Sequence, residues 1–341
     1  MKTSILKFVT NLILCLFIFI GAFQSPVFTM IFSIAGGILF MRVAYNFNNK
    51  SAFAFLACSL TISVLFAFCL GFNAKNLCLG IAYFFIVALP GFAIGYTCKI
   101  KKDFLTVLVS GAISFLFAFI TLLVEFKFVL KLDFIELFIS APIKQTIKAY
   151  KEAFALSGVE QMQTIAESLS EMSWYITQTI TMIIPSVFII ICGLGAYFIF
   201  LAGRKFMYKT EHVILPYPHF HQLKMTKSAT FIFAFLYIIT MFMEVSEFSG
   251  AITNIIIVFY ALFALCGLSF IDFYFRRKTA NWILRIGAYF LASIVLTIFS
   301  ILIPFANPLS LLLITAIFDS SRNFRRLPLK TDRIGGDENG Q

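Results

Sequence analysis

All three histidines of the chain, His212, His219 and His221, fall in one polar stretch at 203–228. His219 and His221 stand one residue apart in the run Leu215-Pro216-Tyr217-Pro218-His219-Phe220-His221, a spacing from which two imidazoles could reach one metal ion. A zinc-type site needs three or four ligands. No Cys lies nearby, and Glu211 is the only carboxylate in the stretch, so no metal site is expected. Two acid–base pairs stand at helical spacing: Asp272 with Arg276, and Asp319 with Arg322. Each can meet on one helix face. With Arg325 and Arg326 they leave a positive excess, read either as local neutralisation beside lipid headgroups or as a docking face for a protein partner. A third group is uncharged. Ser59, Thr61, Ser63, Ser110, Ser114 and Thr121, with the helix-interrupting Pro90, could converge on a ligand inside a helix bundle. The same hydroxyls can instead bond their own backbones.

No phosphate-cradling loop, G-x-G-x-x-G, nucleophile elbow, H-E-x-x-H or intramembrane Asp pair is present. The expectation is therefore no catalytic residue, no enzyme activity and no cofactor.

These groups must be carried by an unusual chain. Hydrophobic residues make up 60% of 341 and charged ones only 13%, against roughly 25% charged in soluble domains. Phe alone supplies 45 positions. That excludes disorder, a disulfide-rich secreted module and an ordinary soluble enzyme. At roughly 20 apolar residues per crossing, the composition suffices for about ten transmembrane helices. The seven Cys all lie in or at the ends of apolar runs and imply neither disulfides nor metal. The net charge of +11 is read as Lys and Arg retained in cytoplasmic loops, not as a nucleic-acid footprint.

The fold class expected is all-α: a polytopic transmembrane bundle of about ten spans, with the lipid bilayer as its first partner. Apolar segments run over 6–23, 27–45, 51–71, 77–98, 104–124, 176–202, 229–245, 250–273, 282–303 and 307–320. The first, lacking an A-x-A-like site behind it, reads as an uncleaved helix. Alternating sides from a cytoplasmic N-terminus puts most Lys and Arg inside and both termini in the cytoplasm. Glu125, Glu244 and Glu247 then lie at outer helix ends, Asp272 and Asp319 at inner ones, with no charge at mid-span. The organisation expected is a five-helix half at 1–124, an extracytoplasmic segment at 125–175, a second five-helix half at 176–323 and a tail at 324–341, its end disordered.

In the extracytoplasmic segment, Pro142 is expected to divide a surface helix at 126–140 from two amphipathic helices, 143–156 and 159–173. The second carries an apolar stripe of Val159, Met162, Ile165, Leu169 and Met172. Trp174 and Tyr175 mark the outer interface. Small residues predict close helix crossings: Gly37 in span two, Gly91 and Gly95 in span four, Gly193 and Gly195 in span six. Pro90 and Pro185 predict kinks.

Three stretches together resemble the YybS-like family of uncharacterised bacterial membrane proteins. They are Pro90 to Tyr96 before Lys99-Ile100-Lys101-Lys102, Gly267 to Tyr274 before Arg276-Arg277-Lys278, and Phe318 to Arg326. The loop at 212–224 departs from that pattern. The resemblance implies a bacterial plasma membrane protein. It also implies a distant similarity of the N-terminal half to substrate-binding subunits of energy-coupling-type vitamin transporters, although span one lacks their AxxxA stripe. The function expected is a small-ligand-binding or transport-accessory subunit, filled from outside beneath 125–175. The alternative is a non-transporting scaffold with a membrane or cytoplasmic protein partner.

Overall fold

A computed structural model describes residues 2–325, apart from 72, 158–159, 243–246, 280, 303–307 and 323. Every regular element among them is helical. The chain forms two compact units, 1–217 and 218–341. The expected tail lies almost wholly outside the described residues.

The first unit holds α1 (Lys2–Ala22), α2 (Pro26–Asn46), α3 (Asn49–Cys69), α4 (Ala74–Lys99), α5 (Phe104–Phe128), α6 (Ala141–Ser157) and α7 (Glu160–Glu211). Its turn residues are helix caps. The side chains of Ser25, Asn48, Asn73 and Asp103 accept the N–H groups of Phe28, Ser51, Asn76 and Thr106, starting α2 to α5. α4 packs on α2, α3 and α5. Phe19, Phe40, Phe55 and Val87 fill the core between the first helices. Ile94, Phe115, Ile199 and Phe200 fill that between α4, α5 and α7. The segment 176–202, expected in the C-terminal half, is thus part of the first unit.

Two expectations between α5 and α7 fail. Pro142 does not divide the segment: Glu136–Ser140 forms a π-helical turn that runs directly into α6. A proline lacks the N–H of the regular ladder and crowds the carbonyl four residues back, and a widened turn relieves both. Asp133 starts this stretch, its Oδ1 accepting the N–H groups of Ile135 and Glu136. Nor do 159–173 and 176–202 form separate helices. α7 is one helix of 52 residues, because no Gly or Pro interrupts 160–184. The side chains of the apolar stripe and of Trp174 lie outside the described residues.

The second unit holds α8 (Lys227–Met241), α9 (Glu247–Lys278), α10 (Trp282–Leu302) and α11 (Pro308–Arg322). α9 packs on α8 and α11 around Phe233, Ile252, Ile256, Phe263 and Ala316.

Among the described residues, seven helices are long and apolar enough to cross a membrane: α1 to α5, α7 and α9. α8 and α11 have 15 residues each, a rise of about 22 Å against a hydrocarbon core of about 30 Å. Seven of the ten expected spans thus meet this criterion among the described residues. Phe17, Met30, Ile113, Phe117 and Phe231 stand exposed on the helix surfaces, which is where a bilayer-embedded bundle presents apolar side chains to lipid.

Candidate functional site: the polar helix ends

The small residues act where close approach demands them. A Cβ on Gly91 would collide with the carbonyl of Gly37, and one on Gly95 with that of Met41. α2 and α4 thus cross backbone to backbone. A Cβ on Gly37 would also strike Ile199 of α7, and one on Gly195 would press Phe115 at 3.1 Å. Gly193 is the exception: a Cβ there meets nothing within 4 Å, so it makes no close crossing. Lying two residues from Gly195, it points to another side of α7. Gly267, unremarked as a crossing residue in the sequence, meets the carbonyl of Leu312 across α9 and α11.

The hydroxyls do not converge on a chamber. Ser59 donates to Phe55 O (2.7 Å), Thr61 to Ala57 O (3.1 Å), Ser114 to Ser110 O (2.8 Å) and Thr121 to Phe117 O (3.0 Å), all within their own helices. Ser63 reaches across to Gly80 O (2.7 Å). Ser110 bonds Val107 O and Thr97 Oγ1. Pro90 is buried inside the unbroken α4. Two cavities among the described residues, lined by the ends of α1, α2, α3 and α7, touch none of these positions.

The charged groups are rearranged more deeply. Asp272 does not pair with Arg276. Its Oδ1 accepts Arg285 Nη1 (2.8 Å) and the Tyr289 hydroxyl (2.9 Å), both from α10. Arg276 instead donates to His221 Nδ1 (2.5 Å). Asp319 does not hold Arg322. Its Oδ2 takes Arg325 Nε (3.0 Å) and Nη2 (2.7 Å). Arg325 also donates to the carbonyls of His221 (2.8 Å) and Leu223 (2.6 Å) and to Ser269 Oγ (2.9 Å). The Arg325 side chain is fully withdrawn from solvent and that of Asp319 is 2% exposed. Arg325 is therefore no docking group. It locks the 219–224 loop onto α9 and α11, a role a five-donor planar guanidinium suits. Helical spacing misled here because both acids found partners outside their own helix turn. Arg276, Arg277 and Arg322 remain exposed, as does Lys227 at the start of α8. Arg326 lies outside the described residues.

His219 and His221 stack at 5.6 Å between ring centroids. Among the described residues, no three His, Cys, Asp or Glu side chains gather as metal ligands. Burial and the Arg276 guanidinium hold the His221 pKa below its ordinary value. His212 has φ 54° and closes α7 in the left-handed conformation.

One constellation escaped the sequence reading. In the first unit Glu211, at the end of α7, accepts Arg42 Nε (2.5 Å) on one oxygen and Asn46 Nδ2 (2.5 Å) on the other. Lys7 and Asn11 of α1 line the same cavity, of about 460 Å³. A signal existed: Asn11 is a lone amide inside the apolar run of α1, and it is 5% exposed.

Residues 12–320 match the family described as Predicted membrane protein (DUF2232). The chain belongs to that family of membrane proteins. No curated protein and no solved structure matches it.

Proposed function

From that membership, we propose that the protein is a non-enzymatic scaffold of the bacterial plasma membrane, a YybS-like protein of about ten spans. Both termini lie in the cytoplasm, 125–175 lies outside, and the polar helix ends of the second unit form a cytoplasmic docking face. One observation carries this reading. Arg276, Arg277 and Arg322 stand exposed on a frame whose internal charges are already neutralised, Asp272 by Arg285 and Asp319 by Arg325. Exposed positive groups on a fixed frame suit an acidic protein surface, where complementary charge sets encounter rate and register. A ligand chamber among spans two to six is the less supported role, since its hydroxyls are spent on backbone carbonyls.

The test is co-purification from native membranes at low ionic strength. The double variant Arg277→Gln, Arg322→Gln should keep expression and melting temperature but lose most protein recovered with wild type. Unchanged recovery at low salt would end the docking idea.

A further inference from the structure

The cavity of the first unit sits where α1 begins and where α2 and α7 end. Its polar lining is Lys7, Asn11, Arg42, Asn46 and Glu211, with Phe47 beside them. Glu211 has both oxygens occupied, by Arg42 Nε and Asn46 Nδ2. Arg42 commits only Nε to that bond, so its two terminal amino groups carry no further hydrogen bond among the described residues. Its guanidinium is also set over the Phe206 ring, 5.7 Å from the centroid, which fixes its plane. Lys7 is exposed. Two cations against one paired carboxylate leave the cavity positive. Asn11 is held by its own helix, Nδ2 donating to Lys7 O (2.9 Å), and keeps its carbonyl end for the cavity.

A second cavity of about 310 Å³ shares Asn46 and Phe47 with the first and is lined further by Ile5, Phe8, Asn48 and Ser51. The volumes fall within the roughly 300–1,000 Å³ of ligand sites. The pair thus sets a cationic compartment beside a mixed one, with Ile5, Phe8 and Phe47 for chain carbons and Asn48 and Ser51 for ester oxygens. Both lie at one end of helices that cross the membrane, the level at which lipid phosphates sit. Arg and Lys bind phosphate by charge-assisted hydrogen bonds, Arg with two parallel donors.

We propose that this cavity binds the phosphate of an anionic phospholipid, with Arg42 and Lys7 holding the phosphate oxygens and the adjoining cavity taking the glycerol end of the acyl chains. Glu211 orients Arg42 and excludes a second anion. This goes beyond the docking role, since it concerns a different unit and a different ligand.

The test uses the full chain in nanodiscs of phosphatidylcholine alone or doped with phosphatidylglycerol, read by native mass spectrometry and by melting temperature. Wild type should retain phosphatidylglycerol over phosphatidylcholine and melt higher in the doped discs. Lys7→Gln should cut that preference about tenfold, the loss of one charged contact, with the melting temperature in pure phosphatidylcholine unchanged. Arg42→Gln should abolish the preference. If Arg42→Gln fails to fold, Lys7→Glu serves in its place, because it reverses the charge at an exposed position. Equal retention in wild type and Lys7 variants overturns the proposal. Displacement of the lipid by soluble glycerol 3-phosphate, with the same rise in melting temperature, would assign the site to a free phosphate ester and overturn the lipid assignment.

Discussion

Arg325 and Asp319, six residues apart, close on each other through two hydrogen bonds, Nε at 3.0 Å and Nη2 at 2.7 Å, with neither side chain open to solvent. Three further acceptors from the 219–224 loop and α9 complete the guanidinium's shell. The price of removing one partner from such a pair is a buried uncompensated charge, about 3–5 kcal/mol. Arg325→Ala should lower stability by that order and loosen the 219–224 loop. Asp319→Asn, which keeps an oxygen facing the guanidinium, should cost less. Thermal unfolding and limited proteolysis of both purified variants against wild type would show it, and equal melting temperatures for wild type and Arg325→Ala would contradict it.

The crossing of α2 and α4 allows a second expectation. Gly91→Ala places a methyl group against the Gly37 carbonyl, and forcing two backbones apart costs about 1–3 kcal/mol. Gly193→Ala fills open space and should stay within about 1 kcal/mol of wild type, on the stabilising side by helix propensity. Melting temperatures in one detergent give the comparison. A Gly91→Ala protein as stable as Gly193→Ala would mean the crossing is looser than drawn.

Acidification should weaken the second unit. His221 accepts from Arg276, which can only donate, so Nδ1 must be unprotonated. Burial comes first among the causes of its lowered pKa, followed by Arg276, His219 and Arg325, with Asp272 opposing. A lowered folded pKa means that the unfolded chain binds the proton first. The contribution is complete above the ordinary value of 6.5 and is lost as pH falls from there through the folded value. Wild-type stability should drop over that window, and His221→Gln should flatten the profile. An identical slope in the variant would assign the acid sensitivity elsewhere.

Topology can be read by single-cysteine labelling in a cysteine-free background. Lys148→Cys should react from outside intact cells, whereas Lys209→Cys and Arg277→Cys should react only after permeabilisation. Lys209 is the useful probe near the end of α7 because its neighbour Met207 is wholly buried. Labelling of Lys209→Cys in intact cells would invert the proposed orientation.

The helical elements were legible because lipid imposes a length and a composition on each crossing, and because Ser25, Asn48, Asn73 and Asp103 are punctuation with a chemical meaning. Gly91 and Gly95 were legible for a similar reason, since four-residue spacing places both on one face. Charge partners were not. Spacing along a helix sees only neighbours on that helix. Asp272 chose Arg285, and Arg42 chose Glu211 at a separation of 169 residues. The break expected at 174 rests on polarity alone, and polarity does not stop a helix where no Gly or Pro stands at the boundary.

That unbroken helix has a mechanical consequence. α7 carries the 141–157 hairpin arm near its start and Glu211, the carboxylate that holds Arg42, at its finish. From Pro185 to Glu211 the lever arm is about 39 Å at 1.5 Å per residue. A pivot of about 10° at Pro185, where proline removes one rung of the ladder, would carry Glu211 about 7 Å sideways, far more than a hydrogen bond survives. Ile199, Phe200 and Met207 of this half are wholly buried, so core packing holds the lever still and keeps Glu211 on Arg42.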